Sequence, residues 1–127
     1  MASAAHFIIF SFACKLARMA IWHNGTLGET ASIDASSAGL LLGWGVFTTV
    51  GVKKGRAMWL EQHLHRLRRD AARCDITLAF SDDELRDGLA AVLGANEIET
   101  GMARLTATRR DDGRWNTDAN SDITILA

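Results

Sequence analysis

The chain has 127 residues, with 14 Lys and Arg against 15 Asp and Glu, a formal net charge of -1 and 48% hydrophobic residues. One compact α+β domain is the expectation; the balance excludes a disordered or collagen-like chain and the positive excess of a nucleic-acid-binding domain. Two cysteines, Cys14 and Cys74, are too few for a disulfide framework and fit no zinc spacing, and no run of about 18 uncharged apolar residues exists to span a membrane.

The apolar run Ala4 to Cys14 comes first, with its positive charges, Lys15 and Arg18, behind it. A secretory signal carries its charge in front. The run is thus either an irregular leader or, as strand patterning from Met19 onward favours, an extension of residues 1–18 upstream of a start at Met19. Ala20 to His23 reads as a short strand ended by the turn dipeptide Asn24-Gly25. Gly28 to Ser37 is small and polar, a loop. Gly43-Trp44-Gly45 then introduces the β-branched strand Val46 to Val52, with Val46, Thr48, Val50 and Val52 on one face and Phe47 and Thr49 on the other. Lys53 to Arg56 is a turn, and Ala57 to Leu60 reads as the start of a return strand.

The period then changes. Leu60, Leu64, Leu67, Ala71 and Cys74 fall on one helical face. Ser81-Asp82-Asp83-Glu84 is a capping box opening a second helix, whose stripe is Leu85, Leu89, Val92 and Leu93 and whose stop is Gly94-Ala95-Asn96. Met102 to Arg109 alternates, with Ala103, Leu105 and Ala107 opposite Arg104, Thr106 and Thr108; Asp111-Asp112-Gly113 turns, and Ile123 to Ile125 is a last strand. Strands, two helices, then strands predict an antiparallel sheet with two helices packed on one side.

Few residue patterns here carry chemistry unaided. His63, Arg66, Asp70 and Arg73 line a helix flank away from the leucines. Arg66 either pairs with Asp70 at i+4, a contact of about 0.3–0.5 kcal/mol, or presents its planar fork to a phosphate or carboxylate. His63 and His65 are two apart and cannot share a metal on a helix. Cys74 reads as a small core hydrophobe and His23 as a lone residue beside a turn. Asp82, Asp83 and Glu84 favour a helix N-terminus. Neither a Gly-x-Ser-x-Gly elbow nor a phosphate loop ending in Lys-Ser/Thr is present. Arg104 is a solvent-facing charge or a grip for a substrate carboxylate. Arg66, Arg68, Arg69 and Arg73 lack the interleaved aromatic residues of a nucleic-acid stripe.

In combination and order, His23-Asn24-Gly25, Asp34, Gly43-x-Gly45-Val46-Phe47-Thr48-Thr49, Gly55-Arg56, His63-Leu64-His65-Arg66-Leu67 and Arg104-Leu105-Thr106 resemble the class IV pyridoxal-phosphate enzymes. That family holds branched-chain and D-amino-acid aminotransferases and aminodeoxychorismate lyases, and the resemblance covers nearly everything after Met19. It implies the family's N-terminal α+β domain over residues 19–127, with a second domain missing and the stretch from Gly113 leading toward an interdomain linker. It implies pyridoxal 5'-phosphate as cofactor, Arg66 on its phosphate, and Phe47, Thr48 and Arg104 on the substrate. The triplet Phe47-Thr48-Thr49 looks like the lyases, which release pyruvate from aminodeoxychorismate to give 4-aminobenzoate in folate biosynthesis; aminotransferases commonly carry Glu at the position of Thr48. Leu42 stands where many members have an aromatic residue, and Trp44 replaces a common Asp.

Chemistry on this cofactor needs a Schiff-base lysine. The chain has only Lys15, Lys53 and Lys54, and none matches the family's catalytic lysine, which lies in the second domain. The resemblance therefore implies a fragment inactive alone, belonging to a cytoplasmic homodimer that acts on an amino acid or an aminodeoxychorismate-type substrate without nucleic acid or membrane. A branched-chain or D-amino-acid transaminase is the alternative, and a non-catalytic domain that keeps the fold is a further one.

Overall fold

The computed structural model describes residues 19–111 and 120–127. Six strands, β1 (Ile21–His23), β2 (Thr26–Gly28), β3 (Gly45–Lys53), β4 (Arg56–Ala57), β5 (Thr100–Arg109) and β6 (Ser121–Leu126), form one antiparallel sheet in the order β2-β1-β6-β5-β3-β4. Among the described residues three helices accompany it: a four-residue α1 (Ala38–Leu41), α2 (Leu60–Arg73) and α3 (Asp82–Ala95). The upstream run lies outside the described residues, as do residues 112–119, which hold most of the turn read at Asp111 to Gly113 and the start of the stretch Gly113 to Ala127 read as leading toward a linker. The rest of that stretch holds β6.

Alternation decides which sheet face is dry. Thr48, Val50 and Val52 on β3, Ala103, Leu105 and Ala107 on β5, and Ile123 and Ile125 on β6 are buried and meet Leu64, Leu67 and Ala71 of α2 and Leu85, Leu89 and Val92 of α3. The long helices therefore share one face and the core lies beneath them. The opposite face stays open, with Phe47, Met102 and Leu126 exposed.

Turn chemistry sets the register. Asn24 and Gly25 both have positive φ (48° and 90°), as do Lys54 and Gly55 (52° and 69°), the backbone a two-residue hairpin needs to match strand twist. The first of these turns returns the chain as β2, a strand too short to show alternation in the sequence. The second corrects the reading of Ala57 to Leu60: β4 ends at Ala57, the Met58 amide donates to the Gly51 carbonyl, and Trp59 turns into the left-handed region (φ 51°) so that Leu60 opens α2. The capping box of α3 is formed in full, Ser81 accepting from the Glu84 amide and the Glu84 carboxylate from the Ser81 amide. Ser37 caps the short α1, which the sequence reading did not contain.

At the far end of α2, the indole N–H of Trp44 donates to the Cys74 carbonyl at 2.7 Å, meeting one of the acceptors a helix leaves open at its C-terminus. Arg109, in phase with the buried residues of β5, is stacked on that indole (4.3 Å) and ion-paired to Asp111 at 2.7 Å. Trp44 thus joins α2 to β3 and covers a charge.

Candidate functional site

The open face of the sheet gathers side chains that are far apart in sequence. Register sets Phe47 opposite Thr106, Thr106 opposite Thr124, and Thr124 opposite His23, a row crossing β3, β5, β6 and β1. Arg104 lies opposite Thr49, one diagonal step from Phe47. Its guanidinium stands 3.7 Å above the Phe47 ring, and its Nε donates to Thr106 Oγ1 at 3.4 Å. A cation laid flat on an aromatic face has its position narrowed without being neutralised. Phe47 keeps 49% of its surface exposed. A fixed guanidinium beside an open apolar ring suits a carboxylate carried on an apolar or cyclic body.

At the other end of the row, His23 Nδ1 and Thr124 Oγ1 share a hydrogen bond of 2.8 Å, and the Asn24 side chain reaches both His23 Nε2 and Asp122, which also pairs with Arg110. The histidine read as a lone turn neighbour is thus part of a cross-strand network. Nothing in its local sequence announces that, because Thr124 is 101 residues away.

Thr48 is on the other side of the sheet. It is 1% exposed, and its hydroxyl shares a 2.7 Å hydrogen bond with His63 Nδ1 on α2. The structure therefore brings Phe47 and Arg104 together and separates Thr48 from them, as strand alternation requires of the next residue along.

Arg66 is one helical turn beyond His63 and on its solvent side, its side chain 57% exposed. Asp70, its i+4 neighbour, gives Oδ1 to two hydrogen bonds from Arg69, while Arg66 Nε stands 3.7 Å from Oδ2, an ion pair too long for a hydrogen bond. The guanidinium retains its donors for another anion. His65 is exposed on a different side of α2, Cys74 packs against the core, and no group of three metal-ligating side chains occurs among the described residues. No helix among them is long and apolar enough to cross a membrane.

Two acidic groups off the sheet are tied down by their own partners. The Glu61 carboxyl is held below its ordinary value by the hydrogen bond from Arg86, and Glu84 by the backbone N–H and hydroxyl of Ser81. A groove of about 370 Å³ runs between the β1–β2 hairpin and α3, lined by Trp22, Leu27, Phe80, Asp87 and Gly88 among others. None of the sequence-predicted site residues lines it.

Residues 45–127 match the family model for amino-transferase class IV. A D-alanine aminotransferase of Listeria monocytogenes is 33% identical over 81 residues, which are 64% of this chain and 28% of that protein. Among solved structures, the 4-amino-4-deoxychorismate lyase of Pseudomonas aeruginosa superposes with a TM-score of 0.66 at 28% identity, over 84% of this chain and 38% of its own. The T.th. branched-chain amino acid aminotransferase with pyridoxamine 5'-phosphate superposes with a TM-score of 0.75 at 18% identity, over 86% of this chain and 39% of its own, which shows the shared fold. The chain therefore spans well under half the length of each of these proteins.

Proposed function

The chain belongs to the amino-transferase class IV family, and on that premise we propose that it supplies the phosphate anchor and one wall of the substrate site in a pyridoxal-phosphate enzyme of the aminodeoxychorismate lyase kind. The observation carrying the substrate side is the guanidinium of Arg104 laid over Phe47 on an open sheet face.

The donor set fits the phosphate end of the cofactor. Arg66 offers a planar, permanently charged fork on a rigid helix, held by nothing stronger than its long pair with Asp70. It does not fit the aldehyde end. Lys53 and Lys54 sit at the β3–β4 turn, six or more residues along the strand from Phe47, about 20 Å at the usual strand rise. Neither of these two lysines is placed to hold the cofactor covalently; as the family resemblance implies, that lysine belongs to a second domain, and these 127 residues alone are expected to be inactive.

When bound, the cofactor ring withdraws electrons from the bond to be broken. This chain's residues bind and orient. Arg66 fixes the phosphate, Arg104 turns the substrate carboxylate toward the sheet, Phe47 gives the substrate ring an apolar surface, and Thr48 supports the strand from beneath. Removal of pyruvate from aminodeoxychorismate then leaves 4-aminobenzoate. The triplet Phe47-Thr48-Thr49 and the likeness to the Pseudomonas lyase support this reading.

The match to D-alanine aminotransferase favours a second reading, transamination of a D-amino acid. The two part on products. The complete protein, given aminodeoxychorismate, is expected to release 4-aminobenzoate and pyruvate in equal amounts; given D-alanine or L-leucine with 2-oxoglutarate, it is expected to form little glutamate. Glutamate without 4-aminobenzoate would replace the lyase with the transaminase, and neither product would leave a domain that keeps the fold without catalysis. The complete protein is taken to be a homodimer, supported by the exposed run Leu40, Leu41 and Leu42; light scattering checks its mass.

A further inference from the structure

The bond between His63 and Thr48 has no part in the chemistry proposed above. On a helix advancing about 100° per residue, Leu64, Leu67 and Ala71 form the buried stripe of α2, and Arg66 points about 130° from its centre. His63 stands between them, about 60° from Arg66 and about 4.5 Å behind it along the axis. It marks the boundary where the dry side of the helix gives way to the flank that carries the guanidinium.

Leucine contacts are non-directional and tolerate small rotations of a helix on a sheet; a hydrogen bond to a buried hydroxyl does not. The polar ties on the opposite flank, Glu61 to Arg86 and Arg68 to Asp82 and the Phe80 carbonyl, fasten α2 to α3 and its approach loop. The tie from Trp44 to the Cys74 carbonyl holds the far end. Among the described residues, the bond from His63 to Thr48 is thus the polar contact that registers α2 against β3 within one turn of Arg66. Thr48 is buried, so losing this partner forfeits the bond without water to replace it.

We infer that His63, through Thr48, is a positioning residue for Arg66, setting the rotation of α2 so that the guanidinium meets a phosphate at a fixed place. The inference rests on the phosphate role of Arg66 proposed above.

The test measures the preference of the complete protein for pyridoxamine 5'-phosphate over pyridoxamine, by calorimetric titration. Both are amines, so neither needs a covalent lysine. Arg66→Gln is expected to cut the preference about 10- to 100-fold, the range of a lost charge-assisted hydrogen bond. Thr48→Val keeps the shape, removes the hydroxyl, and is expected to cut it about 3- to 10-fold, the range of one neutral bond. Thr48→Ser restores the hydroxyl and His63→Asn restores an amide near Nδ1; both should return the preference to within about twofold of wild type. Affinity for pyridoxamine should stay constant throughout, whereas general loosening would lower both affinities together. His63→Phe poses the same question should Thr48→Val fail to fold. A wild-type preference in Thr48→Val and His63→Phe, with Arg66→Gln collapsed, overturns the inference alone. A wild-type preference in Arg66→Gln overturns the phosphate reading itself.

Discussion

Gly88, in the middle of α3, sits against the indole of Trp22 on β1. A Cβ placed there would lie 2.7 Å from Cε2 and 2.9 Å from Cδ2 and Nε1, where carbon atoms prefer about 3.5–4.0 Å. The ring has little room to retreat. It is buried, and Phe80 stands edge-on against it with centroids 5.1 Å apart at 71°. Gly88→Ala gains about 1 kcal/mol of helix propensity and loses about 1–3 kcal/mol to overpacking. With the indole pinned, the upper part of that range applies, and a net loss of about 1–2 kcal/mol is expected. Gly94 provides the opposite sign in the same helix, since nothing lies within 4 Å of its added Cβ. Gly94→Ala should gain about 0.5–1 kcal/mol. Urea unfolding followed by circular dichroism and indole fluorescence reads both. In Trp22→Leu, which empties the space, Gly88→Ala should become neutral or favourable. Equal stabilisation by the two alanines in the wild-type background would refute the packing argument.

Asp111→Asn should destabilise by about 2–3 kcal/mol, because Arg109 keeps its charge at a site where both side chains are only 10% exposed; Arg109→Met should cost less, and denaturant unfolding compares the two. Ser81→Ala should lower the melting temperature by about 3–5 °C at neutral pH through loss of the cap. The cap also carries a pH signature. Glu84 and Glu61 have folded pKa values below their ordinary 4.5, so their contribution is complete above that value and disappears as pH falls through the folded values. Ser81→Ala should therefore flatten the decline as pH falls below the ordinary carboxyl value; an unchanged slope would show that Glu84 is not coupled to the cap. Arg104→Met in the complete protein should raise KM about 10- to 100-fold, the range of a lost charge-assisted contact, with thermal stability nearly constant; unchanged KM would place the carboxylate elsewhere.

The sheet was legible where alternation ran long. Nine residues of β3 and ten of β5 repeat the two-residue period often enough to settle both their faces. The failures follow from length. β2 has three residues, and α1 is a single capped turn whose Leu40 and Leu41 are exposed, so neither offers a period to count. Ala57 to Leu60 reads as a strand because four apolar residues in a row suit either state, and the left-handed turn at Trp59 that breaks them is made by a residue seldom found there. The site divides in the same way. Strand alternation already put Phe47 and Thr48 on opposite faces, and helix periodicity put Arg66 on the wet flank. The stacking of Arg104 on Phe47 depends on interstrand register, and the bond of His63 to Thr48 on how α2 lies across β3. Those are tertiary facts. The sequence reading left Arg109 off the inward face, although it continues the phase of Ala103, Leu105 and Ala107 and is buried in the structure.

The most direct test is a crystal structure of the complete protein with pyridoxamine 5'-phosphate. The expected result is two guanidinium nitrogens of Arg66 within about 3 Å of phosphate oxygens, its long contact with Asp70 given up. A phosphate held by other groups, with Arg66 still turned toward Asp70, would contradict the assignment.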